Sequence, residues 1–538
     1  MPSSLQPIIF SGPGSNLYPL CDASSSSASA CKALLPVANR PLIAYALQNL
    51  LSTGLTSCLL LAPASQHPAI IKALQGVRLT PPAALPVPGE KRKAKEVKDE
   101  KKWIGVSIVD GNGGTSSASG GGGGGSSSTS NAHQSSTSDA TNMKVEILPL
   151  GPYDGKNSEE AKQQDGFRRQ ILGTAELLRW VASLGKLEAD PLVVPVDLIS
   201  PSMPLKDLVH LYTEAQASFA GTPTACCALY ERGAGDGTGR ERERDGPPRM
   251  LSAYSADKSD ERRLLLVQDA DISADVTFRR SLLQACPLMR LSTRLLDSHA
   301  YILNRDQILP LLEENPSLTS LREHVLPLVA KASWMNGLKE KANWNFDKSD
   351  GLDEDDMDGD NEGDTAKARL TQLAKSDSLT KHTLERSSTQ RHNTRNAGQS
   401  KIRCLTTVSR LQAAEDDAEG SNSSLPRFIA RANTVPTFLE SNRWMLKALS
   451  SQSPPPFSIP SISNEHLDGA APATTQSKDE TLQSSSAQLS PDSLIGFGTK
   501  IGDRASIKRS VVGNRCEIAG GARLSGCVLM DGCRVLEK

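Results

Sequence analysis

Large aliphatic residues recur at a regular interval near the end of the chain. From Ile495 onward, successive aliphatic positions lie six, six and five residues apart, so that the pattern repeats every 17 residues. The positions are Ile495, Ile501, Ile507, Val512, Ile518, Leu524, Leu529 and Val535. An α-helix cannot place residues six apart on one face, whereas a coil of three short strands turns one aliphatic side chain inward on each side. The tail, residues 493–538, therefore predicts a left-handed parallel β-helix.

Glycines accompany this repeat, and the repeat is incomplete. Gly496, Gly502 and Gly513 follow aliphatic positions, where we expect corners that require a positive φ. Lys538 falls part-way through a third coil, and so few coils form a small core. We therefore expect a β-helix that either continues beyond the given sequence or is covered by a partner at its open end.

At the other end of the chain, a short apolar run leads directly into a glycine turn. Residues 8–10 are apolar, and Gly12, Pro13 and Gly14 follow them, ahead of a helical pattern over residues 42–51. In open α/β sheets, ligands bind beyond the carboxyl ends of strands, where turns and helix N-termini present N–H groups to phosphate. The N-terminal region therefore predicts an α/β sheet of a nucleotide-binding type.

This stretch resembles the opening of the sugar-phosphate nucleotidyltransferases, which has a glycine-rich loop, an arginine, Pro-Leu-Thr and then Pro-Lys-Pro-Leu-Leu-Pro-Val. The matching residues are Gly12, Gly14, Pro19, Leu20, Lys32, Leu34, Leu35, Pro36 and Val37. The resemblance implies a Rossmann-like mixed sheet. It also implies a nucleotide pocket in which Gly12, Gly14 and Lys32 are the candidate contacts.

Other positions depart from the nucleotidyltransferase pattern and remove positive charge or hydrogen-bond donors. Asn16 stands where the family has its arginine, and it lacks the guanidinium charge that stabilises a triphosphate under attack. Pro13 has no N–H to offer a phosphate, and Cys31 replaces a proline. Where the family carries Glu-Lys-Pro to hold the sugar phosphate, residues 268–270 read Gln-Asp-Ala. We therefore expect the fold without the catalytic residues.

Asp197 is the candidate metal ligand that the nucleotidyltransferase resemblance implies. It follows the buried run of residues 191–196, and in the family the matching aspartate binds the catalytic Mg²⁺. A carboxylate at the carboxyl end of a strand suits a hard cation, but a lone aspartate serves equally well to cap the turn before Ser200. We predict no metal site and no catalytic residue. Gly12, Gly14, Lys32 and Asp197 together form a relic nucleotide pocket.

Composition divides the chain into ordered and low-complexity parts. Residues 1–335 alternate strand and helix patterns and form the nucleotidyltransferase-like domain, with disordered insertions expected at about residues 79–102, 111–142 and 233–260. The rest consists of a mostly disordered acidic and polar linker (336–424), an ordered connecting segment (425–450), a Ser/Pro linker (451–492) and the β-helix (493–538). We expect a short strand near residues 401–408 and a helix beginning near Phe438.

Two charged runs allow functional readings that their composition disfavours. Residues 91–102 are rich in lysine, as in a nuclear-localisation or RNA-binding patch, but interspersed acidic residues favour a linker. Residues 354–365 faintly resemble a calcium-binding loop, but Thr365 stands where a bidentate glutamate is required.

The overall charge and the cysteine pattern limit the compartment and the partners. A formal net charge of −1 gives no general attraction to nucleic acid or to acidic membranes. No apolar run approaches the length of a membrane span, and the ten cysteines include no Cys-x-x-Cys pair. We therefore expect a cytosolic protein with reduced thiols, no membrane association and no direct nucleic-acid partner.

The connecting segment and the tail together narrow the resemblance. The first reads Arg-Ala-Asn-Thr at residues 431–434 and Phe-Leu-Glu-Ser-Asn-Arg at residues 438–443, and the tail reads Ser-Ile-Lys-Arg-Ser-Val-Val-Gly at residues 506–513. With the eroded nucleotidyltransferase domain, these motifs resemble the gamma subunits of eukaryotic translation initiation factor 2B. Such a resemblance implies a non-catalytic subunit that pairs with the epsilon subunit and other subunits of a guanine-nucleotide exchange complex acting on initiation factor 2.

Two alternatives remain open at this stage. The chain could be an active sugar-1-phosphate nucleotidyltransferase of the mannose-1-phosphate guanylyltransferase type, for which Lys32 and Asp197 speak. The relic pocket could also bind GTP or a nucleotide sugar as a regulatory ligand, with Gly12, Gly14 and Lys32 as contacts. Against this second reading, Lys32 could simply neutralise a nearby carboxylate.

Overall fold

The structure is a computed structural model, and it describes the chain in several stretches. These are residues 5–21, 31–80, 104–110, 142–152, 172–200, 204–218, 221–231, 250–255, 262–269, 278–335, 337–342, 344, 402–410, 428–450, 461–462, 482–484 and 486–536. The expected insertion at residues 111–142, most of the one at 79–102, both charged runs and most of the two linkers lie outside these stretches.

Strands and helices alternate through the first part of the chain. The strands are β1 (Leu5–Phe10), β2 (Pro36–Val37), β3 (Arg40–Pro41), β4 (Ser57–Leu61), β5 (Val77–Arg78), β6 (Val106–Asp110), β7 (Met143–Leu148), β8 (Asp190–Pro195), β9 (Leu198–Ile199), β10 (Ala225–Glu231), β11 (Met250–Ser255), β12 (Leu264–Asp269), β13 (Met289–Ser292), β14 (Leu295–Leu303), β15 (Cys404–Ser409), β16 (Ala430–Arg431) and β17 (Ser461–Ile462). The helices are α1 (Leu42–Ser52), α2 (His67–Gln75), α3 (Thr174–Ser183), α4 (Pro204–Ala217), α5 (Arg280–Ala285), α6 (Arg305–Glu314), α7 (Leu326–Ala332), α8 (Leu338–Lys341) and α9 (Val435–Ser450).

Eight of these strands form one mixed sheet in the order β15-β10-β14-β8-β1-β4-β7-β6. The strands β8, β1, β4, β7 and β6 run parallel, while β14 is antiparallel to both β8 and β10. The helices α1, α2 and α4 contribute to the apolar core on one face, and α3, α6 and α7 contribute to the core on the other. The structure therefore confirms a mixed α/β sheet covered by helices.

A second, smaller sheet corrects one expectation. The order of this sheet is β12-β11-β13, and all six residues of β11, Met250–Ser255, are buried. The prediction of a disordered insertion over residues 233–260 is wrong for this strand. The strand has only two large aliphatic residues, Met250 and Leu251, and follows a charged run, so aliphatic density does not reveal it.

The main sheet also includes a strand from beyond the expected end of the first domain. The short strand predicted near residues 401–408 is present as β15, and it pairs in parallel with β10 at the sheet edge. Trp344 is fully buried in the core on the side of α6, and its Nε1 donates to the backbone oxygen of Gln307. The boundary proposed at residue 335 therefore does not mark the end of this sheet.

The connecting segment pairs with the short strand that follows β8, and the two form a separate two-stranded sheet. Its strand β16 pairs antiparallel with β9, with Ala430 opposite Ile199 and Arg431 opposite Leu198. The helix predicted near Phe438 is present as α9, which begins three residues earlier, at Val435. Within the described residues, no helix is both long enough and apolar enough to cross a membrane.

The tail forms three short parallel sheets together with two strands at residues 482–489, which belong to the predicted Ser/Pro linker. Its strands are β18 (Leu482–Gln483), β19 (Gln488–Leu489), β20 (Leu494–Ile495), β21 (Lys500–Ile501), β22 (Ser506–Lys508), β23 (Val511–Val512), β24 (Glu517–Ile518), β25 (Arg523–Ser525), β26 (Val528–Leu529) and β27 (Arg534–Val535). The sheet orders are β18-β21-β24-β27, β19-β22-β25 and β20-β23-β26. Residues 17 apart in sequence lie opposite one another, as Ile495 does to Val512 and Val512 to Leu529.

The glycines of the tail have a different role from the one expected. Gly496, Gly502 and Gly513 do not have positive φ angles, but a Cβ on any of them would collide with the backbone of the next coil, at 2.5–2.7 Å. The positive-φ corners are instead Gly498, Arg504, Arg509, Arg515, Gly521, Gly526 and Gly532. Three arginines therefore occupy positions where an L-residue is strained and glycine is not.

These two kinds of position predict opposite effects of substitution. Gly496→Ala should loosen the tail, because its methyl group would lie 2.5 Å from the backbone of Gly513. Arg509→Gly should stabilise the tail by about 1 kcal/mol, because the φ of 47° ceases to be strained. Hydrogen–deuterium exchange of residues 494–529 should rise in the first variant and fall in the second. A rise in both would contradict this assignment.

Candidate functional site

The candidate pocket residues lie at the carboxyl ends of two neighbouring strands. β1 and β8 pair in parallel, with Phe10 opposite Pro195, and the N–H of Val196 donates to the oxygen of Phe10. The glycine turn follows β1, and Asp197 follows β8. The topology therefore brings Gly14, Lys32 and Asp197 to one edge of the sheet, where the sequence had placed the relic pocket.

The two glycines of the turn differ in what they require. Gly14 has a φ of 81°, and a Cβ there would lie 3.0 Å from Cβ of Cys21 and 3.2 Å from Cβ of Lys32. Gly12 has open space around it and an ordinary φ. Asn16, which replaces the expected arginine, is exposed. The local backbone thus requires a glycine only at position 14, where the chain packs closely against Cys21 and Lys32.

Lys32 and Asp197 form an ion pair inside the protein. The Nζ of Lys32 lies 2.8 Å from Oδ2 of Asp197, and the two side chains are only 8% and 0% exposed. Lys32 begins a short 3₁₀ helix, Lys32–Leu34, which directs it toward the strand end. The interpretation in which Lys32 neutralises a nearby carboxylate therefore agrees with the structure.

A second cation reaches Asp197 from the connecting segment. Nε of Arg431 donates to Oδ1 at 3.2 Å and Nη2 donates to Oδ2 at 3.0 Å, which makes the contact bidentate. Two residues further on, the Oδ1 of Asn433 accepts a hydrogen bond of 2.8 Å from Nζ of Lys32. The N–H of Ala432 donates to the backbone oxygen of Asp197 at 2.9 Å. The connecting segment thus closes over the relic pocket through both its backbone and its side chains.

These charges determine the protonation of Asp197. Burial alone would raise its pKa, but the charges of Arg431 and Lys32 and the hydrogen bonds they donate lower that pKa well below its usual range. Burial would lower the pKa of Arg431, but the Asp197 carboxylate raises it. Asp197 and Arg431 are therefore both charged over the whole neutral range, and they are held by complementary charge in a site with little water.

A further set of polar side chains surrounds this pair. Burial raises the pKa of Asp297 despite hydrogen bonds from the Tyr301 hydroxyl and the N–H of His299. Burial, followed by the charges of Arg431 and Arg322, lowers the pKa of His299 well below its usual value. His299 also has a φ of 57° in the middle of β14. The imidazole is therefore neutral near pH 7, and its backbone is strained at the edge of the pocket.

The residues at this site do not fit a divalent cation. Both oxygens of Asp197 already hold a guanidinium or an ammonium group, and each would have to leave before a metal could bind. Within the described residues, no three His, Cys, Asp or Glu side chains converge as metal ligands would. The position that the nucleotidyltransferase resemblance implies for Mg²⁺ is thus filled by the positive charges of Lys32 and Arg431.

The position expected to hold the sugar phosphate carries a negative side chain, and this side chain forms an ion pair. Asp269, which stands where the family has its lysine, ends β12, and its Oδ1 accepts from Nη2 of Arg322 at 2.7 Å. Its side chain is 62% exposed, so this pair is solvated. Phosphate would meet a carboxylate here.

Sequence reasoning missed the most important partner of Asp197. Arg431 and Asn433 were noticed only as parts of a motif, and nothing linked them to a strand end more than 200 residues earlier. The signal that was available is the short Arg-Ala-Asn-Thr motif itself, since a lone arginine between apolar residues in a folded segment generally needs a buried carboxylate.

A comparison with known proteins gives a limited similarity. No family profile matches the chain. The gamma subunit of translation initiation factor eIF2B from Schizosaccharomyces pombe is 30% identical over 82 residues. This stretch covers 15% of the present chain and only 18% of that relative. The chain is thus similar to a subunit of a translation initiation factor over a small part of its length.

The buried pair predicts a large loss of stability when one partner is removed. Arg431→Met should lower the free energy of unfolding by about 3–5 kcal/mol, because Asp197 keeps its burial and loses a bidentate partner. The matched control is Arg322→Met, which breaks an exposed pair and should cost less than about 1 kcal/mol. Urea unfolding measures both, and equal losses would contradict the structural role of Arg431.

The low pKa of Asp197 predicts a characteristic pH dependence. A carboxylate whose pKa is lower in the folded state stabilises the fold above the unfolded pKa, about 4, and this contribution is lost as pH falls below it. The stability difference between the wild-type protein and Asp197→Asn should therefore shrink by about 1 kcal/mol between pH 5 and pH 3. A difference independent of pH over this range would show that Asp197 is not charged.

Proposed function

We propose that this chain is a non-catalytic subunit of the gamma type in the initiation factor 2B guanine-nucleotide exchange complex. In this proposal it pairs with the epsilon subunit, assembles with the other subunits and promotes GDP/GTP exchange on initiation factor 2 in the cytosol. The similarity over 82 residues to a relative with that name supports it. The observation that carries the non-catalytic part is the capture of Asp197 by Arg431.

The state of the pocket argues against catalysis by this chain. Nucleotidyl transfer requires cations aimed at the phosphates and a metal that can change ligands. The charges of Lys32 and Arg431 are instead paired with Asp197, and Asn16 adds no charge to the loop. Breaking this pair would leave buried ions without partners, at a cost of several kcal/mol. We therefore infer that the pocket serves the architecture of the subunit.

The packing around the connecting segment supports a scaffold. Phe438 and Met445 of α9 share an apolar cluster with Leu35 and Leu42 of the first domain, and Val528 of the tail packs against it. The Nδ2 of Asn39 donates to the backbone oxygen of Val512 at 2.9 Å. We propose that the tail is a left-handed parallel β-helix docked in this way, so that the sheet domain and the tail present one composite surface to the other subunits.

An active sugar-1-phosphate nucleotidyltransferase is the second candidate. The observation that favours it is the meeting of Lys32 and Asp197 at one strand end, where the family's counterparts act. For such an enzyme to act, the connecting segment must leave the pocket when substrates bind. An assay of the purified chain can therefore distinguish the enzyme from the non-catalytic subunit.

The purified chain should be assayed alone and together with an epsilon subunit. We expect no pyrophosphate release from GTP and mannose-1-phosphate, stable co-purification of the two chains, and faster GDP release from initiation factor 2 with the pair than with epsilon alone. Turnover by the chain alone that disappears in Asp197→Asn would overturn the proposal in favour of the enzyme. Failure to co-purify would overturn the assignment of partner.

A regulatory nucleotide in the relic pocket makes a separate prediction. Since Lys32 already contacts Asp197 and Asn433, we expect GTP to bind no more weakly to Lys32→Ala than to the wild-type protein. Isothermal titration measures both affinities. A tenfold loss in the variant, with unchanged thermal unfolding, would instead establish Lys32 as a nucleotide contact.

A further inference from the structure

The small sheet carries an exposed apolar edge. We call the surface formed by α5, β13 and the turn between them, residues 280–292, the β13 edge. Leu283, Leu288 and Leu291 are 47%, 66% and 48% exposed. Only seven large hydrophobic side chains among the described residues are exposed to solvent, and three of them fall within this short segment. Exposed apolar residues that lie together generally mark an interaction surface, whereas single scattered ones do not.

The backbone of this surface is open on one side. β13 lies at the end of the sheet order β12-β11-β13 and pairs antiparallel with β11, with Leu291 opposite Ala253. No other strand of the described residues lies beyond it. An edge strand presents unpaired N–H and C=O groups to any extended chain that approaches. Proteins normally protect such an edge with charge or cover it.

The charges around the edge all have the same sign. Residues 278–294 contain four arginines and no aspartate or glutamate. These are Arg279, Arg280, Arg290 and Arg294, and all four side chains are exposed. Asp269, which ends β12 on the far side of β11, is already paired with Arg322. The edge is therefore both apolar and strongly basic, a combination that attracts an acidic chain and then holds its apolar side chains.

The edge is supported from below, so it exists before a partner arrives. Leu282 is buried in a cluster with Leu265, and Met289 and Trp334 pack against it. The Nε1 of Trp334 donates to the backbone oxygen of Leu265 at 2.8 Å. A surface fixed in this way loses little entropy when it binds.

We propose that the β13 edge binds an extended segment of another protein, in which acidic and aliphatic residues alternate, as an added strand beside β13. Backbone hydrogen bonds to the edge would provide affinity, the leucines would contact aliphatic side chains, and the arginines would select carboxylates. A polypeptide fits better than RNA, because the exposed large side chains between the arginines are leucines and residues 280–292 include no aromatic residue on which a base could stack. This inference does not rest on the proposed function.

The test uses the full chain and a defined peptide. A fluorescently labelled nonapeptide of alternating glutamate with valine or leucine should bind, as measured by anisotropy. Leu288→Asp with Leu291→Asp should weaken binding at least tenfold, and so should Arg280→Glu with Arg290→Glu. The matched controls are Leu184→Asp, whose residue is as exposed as Leu291, and Arg504→Glu with Arg523→Glu in the tail. These controls should bind the peptide like the wild-type protein.

Further peptides separate the strand contact from simple charge attraction. Methylation of alternate backbone nitrogens removes the N–H donors along one edge of the peptide and keeps every charge. When the methylated edge is the one that faces β13, binding should be abolished. Replacement of the glutamates by lysine should also abolish binding. Equal binding by the leucine variants, or tighter binding of oligouridylate than of the peptide, would overturn the proposal. A tenfold gain in peptide affinity on deletion of residues 352–364 would also overturn it, because the chain's own acidic tract would then be the occupant.

Discussion

The carboxylate of Asp197 and the two cations that share it hold the molecule together at its centre. Lys32 comes from the segment after the glycine turn, Asp197 from the end of β8, and Arg431 from the connecting segment. Three distant parts of the chain therefore meet in one buried electrostatic contact, and each is fixed by the other two. In a site with little water such a contact depends on partners for its buried charges, and here both oxygens of one carboxylate are held by the two cations.

The same contact occupies the groups that a phosphate or metal site at this strand end would use. A strand end that presents a carboxylate and a lysine is a natural phosphate and metal site, and the topology of the sheet still builds it. Arg431 supplies from within the chain the positive charge that a metal ion would bring from solution. In this arrangement the edge of the sheet anchors the segment that leads to the tail.

The sequence was informative where structure is local. The strand after the N-terminus, α1 and the 17-residue repeat follow from residue spacing alone, because one face of each element must be buried. The strand β11 does not, because its sequence, Met-Leu-Ser-Ala-Tyr-Ser, has neither a regular alternation nor a strong aliphatic run. The contact between Arg431 and Asp197 spans 234 residues, and no local pattern encodes it. The tail corners were assigned to the wrong glycines, because spacing cannot distinguish a need for positive φ from a need for close backbone approach.

The register of the tail limits how its length can change. From β20 onward each strand lies opposite the one 17 residues away, and the aliphatic residues point inward only while this count is kept. Insertion of one residue would turn every following side chain to the opposite side of its strand, placing charges in the core and aliphatic residues in water. Insertion of a whole 17-residue repeat would add one strand to each of the three parallel sheets, about 4.8 Å further along, and leave the inward positions unchanged. The length of this region can therefore change without loss of its core only in whole repeats.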